Sequence, residues 1–403
     1  MQQIFAELFS GVVDMVSIAG LKSLIMFVIA GVLIYLAIKK DYEPTLLLPI
    51  GFGCILANLP GAIDAVTGLK APAALGEAGF LSVLFDAGIA NELFPVLIFI
   101  AVGAMIDFSP LLKDPSMIFF GAAAQFGIFA TFLLSLVLIP LIPGLVAEGD
   151  QDMVLKLASA IGIIGAADGP TTLFVANHFE LKDYMGPISV AAYSYMALVP
   201  VIQPPVIKAL TTKKERMIRM DYQEERCSKT TLILFPIIVT IVAGIIVPMS
   251  APLVGSLMFG NLIRECGVLE RLSKTAQNEL ANLVTIVLGI TVGGTMVADK
   301  FLHPTTALIL ILGLFAFVFD TAGGVLFAKF LNLFRKKKVN PMIGAAGISA
   351  FPMSSRVIAK MALKEDPSNF ILMQSTSANV SGQLGSIVAG GMVITLVSML
   401  LGA

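Results

Sequence analysis

Long apolar runs restrict this chain more than any other feature. Stretches such as Leu24–Ala37 and Ala307–Phe319 carry no charged residue. A helix that crosses hydrocarbon needs about 20 apolar residues, and runs approaching that length recur along the sequence. Charged residues make up 13% of the 403, about half the quarter usual in soluble domains. A string of water-soluble domains is therefore excluded. The runs are unbroken, whereas the strands of an outer-membrane barrel alternate. The expected fold is an all-α polytopic membrane protein with about 9–11 transmembrane segments.

Several function classes fall away at once. A formal net charge of -1 offers no global basic field for nucleic acid. Cys54, Cys227 and Cys266 are scattered, forming neither a disulfide frame nor a CxxC motif. Only His178 and His303 are present and HExxH is absent, which argues against zinc chemistry. Without GxxxxGK[ST] the chain does not drive itself with ATP. Residues 1–20 hold Glu7 and Asp14 and no early positive cluster. They read as an interfacial amphipathic helix, not a cleaved signal peptide.

Clear spans are expected at about 21–38, 45–60, 93–107, 117–142, 185–207, 231–249, 281–298, 304–331 and 370–400. Two further stretches, 157–180 and 340–362, are apolar but interrupted at their centres by glycine and proline, and 252–266 is a weaker Gly-rich segment. The 208–229 loop has seven basic residues, Arg335–Lys338 form a second cluster, and Lys39 and Lys40 close the first span. These loops should be cytoplasmic, and the acidic 61–92 and 144–156 loops external. One net crossing then separates 143–156 from 208–229, and the 185–207 span uses it. Segment 157–180 is thus expected to enter from outside and return, and 340–362 to dip in from the cytoplasm. The two share Ile-Gly-Ala-Ala, at 164–167 and 343–346. Inverted repeats whose broken helices meet near the midplane mark ion-coupled transporters, so the chain divides into a first repeat, 21–230, and a second, 231–403. The plainer alternative is two unrelated Gly/Ala packing patches.

Asp168 is the sharpest single residue. It lies in an apolar stretch with no basic neighbour in sequence, where an ionised group costs several kcal/mol. The adjacent Gly169-Pro170 breaks the helix and frees carbonyls, oxygen ligands that suit a hard cation. Asp168 can also act as N-cap for the half-helix that follows. Ser349, Ser354, Ser355 and Arg356 punctuate the second broken segment, which opens on Asn340. Asn379 and Ser386, two helical turns apart, share a face of the last span. They suit Na⁺, water or hydrogen bonds between packed helices. Tyr193 and Tyr195 point opposite ways round one helix, so at most one faces Asp168. Asp320 is a second buried acid and a lesser candidate ligand. These features fit a Na⁺-coupled carboxylate symporter, a Na⁺/H⁺ antiporter or a channel.

Four motifs narrow the choice: GIIGAADGPTT at 162–172, AAYSYMALVPVIQPP at 191–205, NPMIGAAGISAFPMSSR at 340–356 and NVSGQLGS at 379–386. In that order they resemble the membrane β subunit of sodium-pumping biotin-dependent decarboxylases, a family acting on oxaloacetate, methylmalonyl-CoA or glutaconyl-CoA. The resemblance runs from about residue 20 to nearly the end. It implies a multi-pass subunit of the bacterial cytoplasmic membrane that decarboxylates carboxybiotin, consumes a proton and exports Na⁺. The implied partners are a biotin carrier protein, a carboxyltransferase α subunit and a small membrane γ or δ subunit; a homo-oligomer is also possible. By the same resemblance Asp168, Asn340, Ser349, Asn379 and Ser386 are candidate Na⁺ ligands. Asp168, Tyr193 or Tyr195, and Arg356 are candidate catalytic residues. Arg356 would meet the carboxybiotin carboxylate, or else anchor a lipid headgroup.

Overall fold

The computed structural model describes residues 18–60, 62–63, 70–71, 79–142, 145–147, 149–220 and 227–402. Of the amphipathic stretch expected at 1–20, residues 1–17 lie outside them, as does most of 61–78 in the acidic 61–92 loop. The described chain is helical throughout apart from one short pairing, Ala62–Ile63 antiparallel to Lys70–Ala71.

The helices are α1 (Ile18–Lys40), α2 (Pro44–Asn58), α3 (Phe80–Phe85), α4 (Leu93–Met105), α5 (Ile118–Ala124) and α6 (Phe126–Leu138). Next come α7 (Gln151–Ile163), α8 (Gly169–His178), α9 (Met185–Leu210), α10 (Lys229–Ile246), α11 (Ala251–Glu265) and α12 (Glu270–Thr275). Then come α13 (Ala281–Gly294), α14 (Pro304–Phe334), α15 (Met342–Ala345), α16 (Met353–Glu365) and α17 (Leu372–Leu401), with short unnumbered helical turns at Ser109–Lys113, Lys213–Arg216 and Ala298–Phe301. Among the described residues six helices are long and apolar enough to cross a membrane: α1, the Pro115–Leu141 unit containing α5 and α6, α9, α10, α14 and α17.

Three other expected spans are shorter than the apolar text around them. Helix α2 has 15 residues, α4 has 13 and α13 has 14. At 1.5 Å per residue these reach only about 20–23 Å, against a hydrocarbon core of about 30 Å. Helix α4 follows Phe80–Ala90 across a 61° bend, the geometry of a broken span or a re-entrant loop. The weak 252–266 segment is a continuous helix, α11.

Both interrupted stretches are broken where glycine and proline foretold. Helix α7 tightens into a 3₁₀ turn at Ile164–Ala166, Ala167 turns left-handed at φ 52°, and Asp168 starts α8. Residues 346–352 separate α15 from α16. Both ends of this second segment meet one residue: the Asn340 amide donates to the Arg216 carbonyl (2.9 Å), and Glu365 accepts from the Arg216 guanidinium (2.8 Å). The segment therefore returns to the end it left. Arg219–Asp366 (2.7 Å) and Lys329–Glu215 (3.2 Å) stitch the same basic end.

The two breaks are tied together. The Ser349 amide donates to the Ala166 carbonyl at 2.9 Å. Helix α14 receives both Ile-Gly-Ala-Ala stretches one turn apart, Gly165 against Asp320 and Gly344 against Gly324. A Cβ on Gly344 or Gly324 would strike the other's carbonyl, so glycine is required for this approach. The shared letters nonetheless adopt different backbones, because Ala346 keeps right-handed helical angles where Ala167 does not.

The order of elements is the same in each half: a long helix, a short one, a π-interrupted one, a long one, a broken one and a long one. The π turns fall at Asp86–Ala90 and Ala276–Leu280. Packing is reciprocal as well. Helix α2 packs on α13 as α11 packs on α4; α9 packs on α14 and α16, as α17 packs on α5 and α8.

Candidate functional site

Asp168 is buried, 5% exposed, at the start of α8. Its Oδ1 accepts the Thr171 backbone N–H at 3.3 Å, so it does serve as the N-cap. Its Oδ2 faces three hydroxyls: Thr171 at 2.7 Å, Ser386 at 2.8 Å and Ser349 at 3.2 Å. Those groups come from α8, from α17 and from the break of the second interrupted segment. Every one is neutral, so the carboxyl meets hydrogen bonds but no cationic side chain. Each hydroxyl can turn a lone pair outward.

The site is braced from α17. The Asn379 amide donates to the Ile348 carbonyl at 2.7 Å, and Gln383 donates to the Ser349 carbonyl. Asn379, Gln383 and Ser386 follow helical spacing on one face and together pin the second break beside the first. Two buried oxygens there lack any hydrogen-bond partner, Asn379 Oδ1 and Tyr193 Oη. An unsatisfied buried polar atom costs about 1–3 kcal/mol. Of the two, Tyr193 lies beside Asp168, on the wall of the same cavity.

A cavity of about 160 Å³ opens onto this cluster. Asp168, Tyr193, Ser349, Gln383, Phe99 and Glu43 are among its lining residues. The Tyr193 ring packs against Gly169, where any Cβ would collide with it. Tyr195 points elsewhere, its hydroxyl donating to the Leu310 carbonyl on α14. The spacing of the two tyrosines left open which one faces Asp168, and the structure puts Tyr193 there.

Two other candidates lie apart from the carboxyl. Asn340 is held at the basic end, its amide on the carbonyls of Arg216 and Ile218 (both 2.9 Å) and its oxygen on the Met342 N–H (3.1 Å). It fixes the mouth of the second segment. Arg356 lines a different cavity of about 500 Å³, with Asp41, Glu43, Lys208, Lys360 and Lys364. Sequence reading missed Thr171 and Gln383. The signals were present, since Thr171 stands three residues after the N-cap and Gln383 one turn after Asn379.

The groups assembled on one point are a carboxylate and three hydroxyls, with the Tyr193 hydroxyl on the same cavity wall. All are hard oxygen donors, which suits an alkali or alkaline-earth cation and not a soft metal. No cluster of three or more His, Cys, Asp or Glu occurs among the described residues. Within the hydroxyl cluster itself the charge is that of Asp168 alone, which matches a monovalent ion.

Comparison with known proteins agrees with this chemistry. Residues 22–397 match the family described as the Na⁺-transporting oxaloacetate decarboxylase beta subunit. The chain is 44% identical to the oxaloacetate decarboxylase beta chain of Klebsiella pneumoniae, covering 94% of this chain and 96% of the other. It is 47% identical to the methylmalonyl-CoA decarboxylase subunit beta of Propionigenium modestum, covering 93% and 94%. The corresponding subunit of Veillonella parvula is 46% identical, covering 93% of each.

Proposed function

Because this chain belongs to the family of Na⁺-transporting decarboxylase beta subunits, we propose that Asp168 is the group through which it couples decarboxylation to Na⁺ export. The observation that carries the reading is the convergence of Thr171, Ser349 and Ser386 on one Asp168 oxygen, with the unpartnered Tyr193 Oη on the same cavity wall. Na⁺ is the cargo. Its ligands would be the Asp168 carboxylate, the Asn379 oxygen and the hydroxyls of Ser349 and Ser386.

Carboxybiotin, presented by a separate carrier subunit, supplies the exergonic loss of CO₂. Arg356, in the basic cavity, offers a guanidinium suited to a carboxylate. The basic end is the cytoplasmic one, and the protein is a multi-pass component of the bacterial inner membrane. Its partners are the biotin carrier, the carboxyltransferase α subunit and a small membrane γ or δ subunit. Relatives of similar identity bear the names of different acids, which fits selection of the acid by another polypeptide.

Each Na⁺ moved outward costs about 2.3 kcal/mol per 100 mV, so leak must be suppressed. One carboxyl taking either Na⁺ or H⁺ provides that coupling, since the consumed proton can replace the departing ion. The reciprocal packing of the two halves supports inverted repeats at 21–230 and 231–403. Their broken segments, joined at Ser349–Ala166, move as one unit. The test is the purified complex in liposomes, measuring decarboxylation and ²²Na⁺ uptake together. Asp168→Asn should lose both by about 100-fold or more, a change of at least about 2.7 kcal/mol. Retention of Na⁺-dependent turnover in that variant would overturn the reading.

A further inference from the structure

The Asp168 cavity and the Arg356 cavity share one acidic wall residue, Glu43. It stands at the N-cap of α2 in the left-handed region, φ 37° and ψ 61°. That conformation is uncommon for a long side chain, and such strain gathers at functional positions. Capping does not account for the residue. The helix start is served by the Glu43 carbonyl, which accepts the Leu46 and Leu47 amides at 3.1 and 3.0 Å, and the carboxylate makes no cap hydrogen bond. The side chain accepts the Thr45 hydroxyl at 3.2 Å.

The two cavities differ in charge. The larger holds Lys208, Arg356, Lys360 and Lys364 against Asp41, Glu43 and Glu365, which favours an anion and repels Na⁺. The smaller holds two carboxyls, Asp168 and Glu43, and no basic side chain. A cation passing from the basic end to Asp168 therefore needs a negative group at the junction, and Glu43 is the acid common to both walls. Burial pushes its carboxyl up, while the Thr45 hydroxyl and the Arg356 charge pull it back. Arg356 and Glu43 line the same cavity, which places the guanidinium where it can compete for this carboxylate.

We propose that Glu43 is the receiving carboxylate for Na⁺ at the junction of the two cavities, and that Arg356 competes with Na⁺ for it. An anion docked on Arg356 withdraws that competitor, so loading of the Asp168 site follows occupancy of the basic cavity. This rests on the reading of Asp168 as the Na⁺ site and adds the residue that feeds it.

The experiment is the Na⁺ dependence of decarboxylation by the purified complex, separating half-saturating Na⁺ from maximal rate. Glu43→Gln should raise half-saturating Na⁺ about tenfold and lower the maximal rate less than about threefold. Glu43→Asp, which keeps the charge, should recover most of the affinity. Two results overturn the proposal: half-saturating Na⁺ unchanged in Glu43→Gln, or both variants losing maximal rate at unchanged half-saturation, which marks a structural turn residue. A wild-type complex indifferent to Na⁺ would remove the underlying reading as well. An unaltered Glu43→Gln beside a Na⁺-dependent wild type removes only this one.

Discussion

Asp168 and Asp320 are both carboxyls buried within the apolar body, and both sit at the N-terminus of a helix. Asp168 caps α8 from within its own segment. Asp320, on α14, reaches across to α6, accepting the Ile128 N–H at 3.1 Å on Oδ1 and facing the Gly127 amide. Free amides at a helix start attract negative charge, so each placement has a structural motive. They part company in their surroundings. Asp168 collects three hydroxyls from separate elements and opens on a cavity. Asp320 is fully buried, meets backbone, does not line that cavity, and keeps Oδ2 without a partner against Gly165. Burial and rarity alone do not identify an ion site. What sets the proposed site apart is the convergence of neutral hydroxyls on a carboxyl that lines a cavity.

That contrast can be broken by experiment. The largest effect belongs to Asp168→Asn, which should abolish Na⁺-dependent turnover while leaving the folded complex intact, as read by its thermal transition and subunit content. Asp320→Ala should do the reverse. It strips the acceptor from the start of α6 and should cost about 1–3 kcal/mol of stability. Half-saturating Na⁺ should stay near wild type in whatever complex assembles. A change in Na⁺ affinity there would make both acids ion ligands.

Smaller effects sharpen the boundary of the site. Ser386→Ala and Ser349→Ala should each raise half-saturating Na⁺ about tenfold, a loss of about 1.4 kcal/mol of binding. The smallest differences should separate the tyrosines. Tyr193→Phe removes an unpartnered hydroxyl, so stability should change by less than about 1 kcal/mol while turnover falls. Tyr195→Phe loses its bond to Leu310 and should cost about 1 kcal/mol of stability with turnover retained. Melting curves and steady-state rates on the same preparations distinguish the two.

Much of this was legible in the sequence for a physical reason. Apolar length registers directly as a helix able to span, and Gly-Pro beside an acid registers as a break, so α1, α9, α10, α14, α17 and Asp168 could be read in advance. Depth could not. Asn340 and Ser349 belong to one broken segment, yet the first ties down its mouth on Arg216 and the second reaches the carboxyl. Sequence spacing in irregular backbone does not say how far each residue penetrates. Apolar composition likewise overstated α2 and α13, because the helices stop before the apolar text does. Glu43 left no periodic signal, since its interest lies in which two cavities it borders.

The most direct test of the central claim is equilibrium binding of ²²Na⁺ to the detergent-solubilised complex, comparing wild type with Asp168→Asn and Asp320→Asn. The account predicts saturable binding in wild type and Asp320→Asn and none above background in Asp168→Asn. Undiminished binding in Asp168→Asn would contradict it.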